Sequence, residues 1–153
     1  MTIRILFFSV SGNTRAFVKK LQAYGEVQRT LSQEMPLIEL KEITDQSHFE
    51  DEAEPFVAFV PTYLDGGNGL DNGTTEIMTN TLGEYIEYHA NRSMCLGVVG
   101  SGNKNFNWQY CLTAKQYAEK FNFPFLADYE LRGTPTDVET IYGILQDLVK
   151  KYA

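Results

Sequence analysis

A chain of 153 residues with 43% apolar and 22% charged side chains has enough material for a buried core and too ordinary a balance for disorder. Its formal net charge of −7 argues against nucleic acid, whose phosphates need a basic face. The same charge allows a partner with a basic docking surface, and solubility alone also accounts for it.

The length, with no repeat or linker, predicts one domain over residues 1–153. No apolar stretch approaches a membrane span. Met1-Thr2-Ile3-Arg4 runs into a strand pattern without the layout of a signal peptide, so a cytoplasmic protein with no membrane partner is expected. Cys95 and Cys111 form no C-x-x-C and read as two buried thiols.

In chain order, residues 4–10 are nearly all apolar, as a central parallel strand should be. A helix follows from Thr14 with Phe17, Val18 and Leu21 on one face. Residues 37–43 alternate apolar and charged side chains and predict an edge strand. Residues 45–54 are acidic and read as a loop. A third strand spans residues 56–60, and a long glycine-rich loop follows from Pro61 to Gly73. A helix over residues 75–89 aligns Met78, Leu82, Ile86 and His89. The fourth strand, residues 94–99, ends in a polar turn over residues 100–107. A helix from about Trp108 to Phe121 carries Cys111, Ala114, Ala118 and Phe121. The fifth strand spans residues 125–131. The last helix starts near Thr134-Pro135-Thr136 and buries Val138, Ile141, Leu145, Leu148 and Val149.

Strict β/α alternation implies an α/β fold, a doubly wound five-stranded parallel sheet of order 2-1-3-4-5. The loops after strands 1, 3 and 4 then leave neighbouring carboxyl ends and meet at the crevice where ligands bind such sheets. Convergence of these three loops is the main functional signal of the sequence.

The first loop, Ser9-Val10-Ser11-Gly12-Asn13-Thr14, joins a strand to a helix start. Helix N-termini offer unpaired N–H groups and a partial positive charge, and the hydroxyls add donors. The loop has no lysine, so it is not a Walker loop, and it suits a single terminal phosphate. The other two loops bring backbone groups and the aromatics Tyr63, Phe106, Trp108 and Tyr110. Tyr63 directly follows a strand end and suits stacking on a flat ring, while Trp108 and Tyr110 begin a helix and serve the core equally well. A phosphate at one end and a planar ring at the other describe a mononucleotide, and flavin mononucleotide (FMN) fits. The expected cofactor contacts are Ser9, Val10, Ser11, Gly12, Asn13 and Thr14 in the first loop. In the second they are Thr62, Tyr63, Leu64, Asp65, Gly66 and Gly67. The third supplies Gly100, Ser101, Gly102, Asn103, Phe106, Asn107, Trp108, Tyr110 and Cys111.

Ser-x-Ser-Gly-Asn-Thr resembles the flavodoxin phosphate loop. Together with Pro61-Thr62-Tyr63 and its glycine run, Gly-Ser-Gly-Asn-Lys-Asn-Phe at 100–106, Tyr110-Cys111, and Glu130-Leu131-Arg132-Gly133-Thr134, it is similar to the NrdI family. These are flavodoxin-like partners of class Ib ribonucleotide reductase. Members typically have a simpler glycine run, and this chain inserts Leu64, Asp65, Asn68, Asp71 and Asn72. The resemblance implies FMN, docking on the reductase small subunit, and a reduced flavin that turns dioxygen into superoxide for a dimanganese–tyrosyl radical centre. It also implies an electron donor that the sequence does not identify. The chain would then be an activator and electron-transfer partner rather than a stand-alone enzyme.

The flavin carries such chemistry, so no catalytic acid–base pair, nucleophile or metal site is expected in the chain. His48 and His89 are isolated, and His89 reads as a structural residue on the apolar side of a helix. Gly66-Gly67 has the freedom to turn a carbonyl toward the flavin edge. Asp65, Asp71, Glu52 and Glu54 read as acids near the crevice that disfavour an anionic reduced ring. The alternatives are a generic flavodoxin electron carrier and a flavodoxin-like quinone reductase. A receiver module lacks its acidic cluster here, and a low-molecular-weight phosphatase lacks its Cys and Arg.

Overall fold

A computed structural model describes residues 1–9, 12–62, 81–103 and 111–152. Five parallel strands, β1 (Thr2–Phe7), β2 (Leu37–Glu42), β3 (Phe56–Pro61), β4 (Cys95–Gly102) and β5 (Phe125–Glu130), form one sheet in the order 2-1-3-4-5. Helices α1 (Asn13–Leu31), α2 (Thr81–Glu87), α3 (Leu112–Phe121) and α4 (Pro135–Tyr152) connect them, with a short 3₁₀ turn over Asn91–Met94 before β4.

The alternation of side chains along a strand divides the apolar runs between two layers. Ile3, Ile5, Phe7, Val57 and Phe59 face α1 and α4, where they meet Phe17, Val18, Leu21, Ile141, Tyr142 and Leu145. Leu6, Phe8, Phe56, Ala58 and Val60 face the other way and meet Leu82, Tyr85 and Ile86 of α2 and Ala114, Tyr117 and Phe121 of α3. This double burial is why β3 reads as an unbroken apolar stretch and β1 as one interrupted by Arg4. Of the residues expected inside α4, Val138, Ile141 and Leu145 are buried, while Leu148 and Val149 pack only partly. Among the described residues no helix is long and apolar enough to cross a membrane.

Several boundaries differ from expectation. Strand β1 stops at Phe7, and β5 stops at Glu130 because Leu131 turns to a φ of 54°. Strand β4 runs on through Gly100-Ser101-Gly102, a segment that reads as a turn. Its two neighbours hold it extended, with Pro61 opposite Ser101 on one side and Glu130 opposite Gly102 on the other. Gly100 is there because α3 lies close, and a Cβ at this position would sit 2.8 Å from the Ala114 Cβ. The described part of the second helix ends at Glu87, and His89 lies beyond it at φ 48°. The exposed His89 ring pairs through Nδ1 with Asp51 at 2.7 Å and stacks on Tyr88, so it is not on an apolar helix face. Cys111 precedes α3 at φ 56° and is fully buried. Cys95 is only half-buried, and neither cysteine is in a disulfide among the described residues. Burial pushes the Cys95 thiol up to about 12.

Helix α4 opens with reciprocal caps. The Thr134 N–H donates to Asp137 Oδ2 at 2.8 Å, and the Asp137 N–H donates to Thr134 Oγ1 at 3.1 Å. Pro135 takes the first helical position, where its missing N–H costs nothing. Thr134→Ala is expected to lower stability by about 1 kcal/mol, read as a shift in the urea midpoint with unchanged slope. An unchanged midpoint would mean the cap is redundant.

Candidate cofactor-binding site

The first turn of α1 is the anchor of the site. Gly12 precedes the helix at φ 90°, a left-handed conformation suited to glycine, and being glycine it brings no capping side chain. The serine three residues earlier takes part of that role, with Ser9 Oγ accepting the Arg15 N–H at 3.4 Å. No acidic residue lies in the turn. Thr14 is fully buried there, and its hydroxyl has no partner among the described residues. The Arg15 guanidinium grips Glu42 at the end of β2 through Nε–Oε1 at 2.9 Å and Nη2–Oε2 at 2.5 Å, while its Nη1 lies 3.9 Å from where a Gly12 Cβ would be.

Strands β3 and β4 bring the second and third loops to the same edge. The Thr62 N–H donates to the Ser101 carbonyl at 2.9 Å, continuing the ladder past Pro61. Thr62 Oγ1 in turn accepts the Thr113 N–H at 2.9 Å, at the start of α3. Thr62 therefore ties two elements together and keeps its own O–H for a further acceptor. The Gly102 carbonyl accepts the Leu131 N–H at 3.0 Å, which fastens the turn after β5 to the same rim. Asn103 follows, half-buried.

Of the expected contacts, Ser9, Gly12, Asn13, Thr14, Thr62, Gly100, Ser101, Gly102, Asn103 and Cys111 are described. The first four belong to the α1 turn, and the others to the rim of β3, β4 and α3. Gly100 and Cys111 pack against each other, with a Gly100 Cβ only 3.2 Å from the Cys111 Cβ, so both serve the β4–α3 contact. Val10, Ser11, Tyr63, Leu64, Asp65, Gly66, Gly67, Phe106, Asn107, Trp108 and Tyr110 lie outside the described residues, as do Asp71, the rest of the 63–80 stretch and residues 104–105.

The acids expected near the crevice need correction at two positions. Glu52 is engaged by Arg4 in the middle of β1, by Lys41 next to the last residue of β2 and by Tyr85 of α2, and by no described residue of the α1 turn or the β3–β4 rim. Arg4 Nη1 donates to Glu52 Oε1 at 2.8 Å, while Lys41 Nζ at 2.7 Å and the Tyr85 hydroxyl at 2.5 Å both donate to Oε2. Burial disfavours the Glu52 charge, but the hydrogen bonds from Lys41 and Tyr85 and the charges of Arg4 and Lys41 outweigh it. The carboxyl is held below its ordinary range. Burial and the same carboxylate push the Tyr85 phenol up to about 12. Glu54 is exposed beside Met1, Thr2 and Pro55, at the amino ends of the strands.

One residue of this region escapes a reading of the sequence. Arg132 Nε donates to Asn13 Oδ1 at 3.2 Å, across 119 residues. Its signal was the 130–134 motif, which carries no chemistry of its own until the fold sets it beside α1.

The donor set suits a phosphate monoester at α1: among the described residues, a turn capped only by the long Ser9 contact, no carboxylate in it, and a buried hydroxyl awaiting an acceptor. A family model described as "NrdI Flavodoxin like" matches residues 5–143. The chain belongs to the NrdI family.

A NrdI-like protein of Streptococcus pneumoniae strain R6 is 49% identical over 152 residues, covering 96% of this chain and 94% of that protein. Protein NrdI of Mycoplasmopsis pulmonis is 32% identical over 146 residues, covering 95% and 85%. Among solved structures, a short-chain flavodoxin associated with a non-canonical PDU bacterial microcompartment superposes with a TM-score of 0.68 at 18% identity. That match covers 100% of this chain and 99% of the other, and it is a likeness of fold. The fold is thus flavodoxin-like. NrdI membership implies FMN as the cofactor and a flavoprotein's redox function. The family is associated with ribonucleotide reductase activation.

Proposed function

We propose that this NrdI protein binds FMN with its phosphate on the first turn of α1 and its ring at the rim of β3 and β4. In its reduced form it supplies superoxide to the small subunit of a class Ib ribonucleotide reductase, for assembly of a dimanganese–tyrosyl radical cofactor. FMN, when bound, would supply the one-electron chemistry between a separate donor and dioxygen. The chain's own residues do the holding. Ser9, Gly12 and Thr14 shape the phosphate end, and Thr62, Ser101 and Gly102 keep the strand ends in register around the ring. The site assignment over Ser9–Thr14, Thr62–Gly67 and Gly100–Cys111, and the extent of the domain over residues 1–153, belong to this proposal.

The observation that carries the reading is the family match over residues 5–143, because partner identity is what separates it from an electron carrier of the same fold and cofactor. The test is to load the protein with FMN, reduce it without oxygen, and add it with dioxygen to manganese-loaded small subunit. A tyrosyl radical signal well above that given by manganese and dioxygen alone is expected. FMN bound and reducible with no added radical would leave a carrier. Steady nicotinamide oxidation with a quinone acceptor, by the protein alone, would point to a quinone reductase.

A further inference from the structure

We propose that Arg132 makes the phosphate end of this site selective for a phosphorylated flavin, by fixing the Asn13 carboxamide at the mouth of α1 and setting an unpaired cation beside it. The inference rests on the FMN reading above and assigns a positioning residue to it.

Asn13 is the first residue of α1, one place before the buried, unpartnered Thr14 hydroxyl. Its carboxamide oxygen accepts from Arg132 Nε, so the NH₂ group is what Asn13 has left to offer, two donors in one plane. No acceptor engages that group among the described residues. Left to itself, a carboxamide can present its oxygen or its nitrogen to a ligand. The guanidinium removes that choice and leaves donors for an anion.

The charge balance points the same way. The cleft of about 640 Å³ between α1 and the turn after β5 is lined by Asn13 and Arg132 together with Asp128, Glu130 and Asp137. Asp137 accepts the Thr134 N–H and Asp128 and Glu130 have partners of their own, but what negative charge they leave would repel a phosphate. Arg132 is the one cation lining it among the described residues, and no carboxylate pairs with its guanidinium. Arg15, the other arginine at this end of α1, has most of its charge offset by Glu42.

The turn is built to hold Arg132 in place. Leu131 at φ 54° and Gly133 at φ 71° flank it, and the Gly133 N–H closes on the Glu130 carbonyl at 2.8 Å. A Cβ on Gly133 would fall 2.5 Å from the Phe17 ring, so the turn lies directly on α1 one helical turn past Asn13. A leucine in a left-handed conformation is uncommon, and such backbone persists where surrounding contacts impose it. Here they are the Gly102 carbonyl on one side and Phe17 on the other.

Titrating ligand-free protein with FMN and with riboflavin, which lacks the phosphate, tests the proposal. Arg132→Gln should weaken FMN roughly three- to tenfold, as befits a partly screened charge, and leave riboflavin unchanged. Arg132→Lys keeps the charge but not the fork and should fall between. The FMN affinity of the Gln variant should also respond less to added salt. Thermal melting of the ligand-free variants, unchanged for an exposed side chain, separates lost contact from lost fold. Equal weakening of both flavins, or none of either, would overturn the proposal. Wild-type protein that binds neither flavin would overturn the FMN reading itself.

Discussion

Replacing Glu52 with alanine is expected to cost about 2–3 kcal/mol of stability, because it leaves Arg4 only Glu39 at 3.6 Å, Lys41 only Glu50, and the Tyr85 phenol without its carboxylate. Only 1% of the Glu52 side chain is exposed. Arg4 Nη1 and Lys41 Nζ both lie within 2.8 Å of its oxygens, and Tyr85 donates to the oxygen that Lys41 also holds. The Glu52 N–H donates to Asn91 Oδ1 at 2.7 Å, and Asn91 Nδ2 reaches the carbonyls of Glu50 and Tyr85. The network thus pins the loop between β2 and β3 to β1, β2 and α2 at once. Glu52→Gln keeps the shape and one acceptor, so it should recover part of the loss.

The pH dependence has a definite sign. The unfolded carboxyl titrates near 4.5, and the folded one lies below that. Between those two values the unfolded chain takes up a proton that the native protein refuses. The contribution of the ionised Glu52 is therefore complete above about pH 4.5 and disappears as pH falls through the folded value. Urea denaturation at a series of pH values should show wild type and Glu52→Gln furthest apart near neutrality and converging in acid. A loss under ~0.5 kcal/mol for the alanine variant at pH 7, the range of ordinary surface substitutions, would show that the network does not stabilise the fold.

The contrast between Glu52 and the strands explains what a sequence yields. Strand identity and order are local consequences of apolar runs and β/α alternation, so Ile5, Phe7, Val57 and Phe59 could be assigned to the core from spacing alone. That the loops after β1, β3 and β4 leave neighbouring strands followed from the order by topology. Glu52, by contrast, reads as one acid in an acidic loop. The signal that it is buried lay elsewhere, in Arg4 interrupting an apolar strand and Lys41 closing an alternating one, two cations waiting for a partner. Gly100 and Gly102 read as a turn because glycine usually marks one. Pairing on both sides overrides that preference, and only the closeness of α3 explains why Gly100 is a glycine. Arg132 was visible as part of a motif, but its partner Asn13 was not, because nothing local links residues 119 apart.

Thr14→Val separates binding from folding at the phosphate end, because the two effects should run in opposite directions. Valine has the shape of threonine without the hydroxyl. In the ligand-free protein that hydroxyl is buried and has no partner among the described residues, a state that costs about 1–3 kcal/mol of desolvation. Its removal should leave the melting temperature of ligand-free protein unchanged or higher. If the hydroxyl serves the FMN phosphate, the same change deletes a hydrogen bond to a charged group, worth about 1.5–3 kcal/mol. The FMN dissociation constant, read by flavin fluorescence, should then rise roughly ten- to hundredfold. The stabilisation conferred by a fixed excess of FMN should shrink to match. A packing role for Thr14 predicts neither divergence, since a misfit valine would lower ligand-free stability first and weaken FMN only as a consequence. Unchanged FMN affinity in a well-folded Thr14→Val protein would remove the phosphate from this turn of α1, and the ring would then have to be held from the β3 and β4 rim alone.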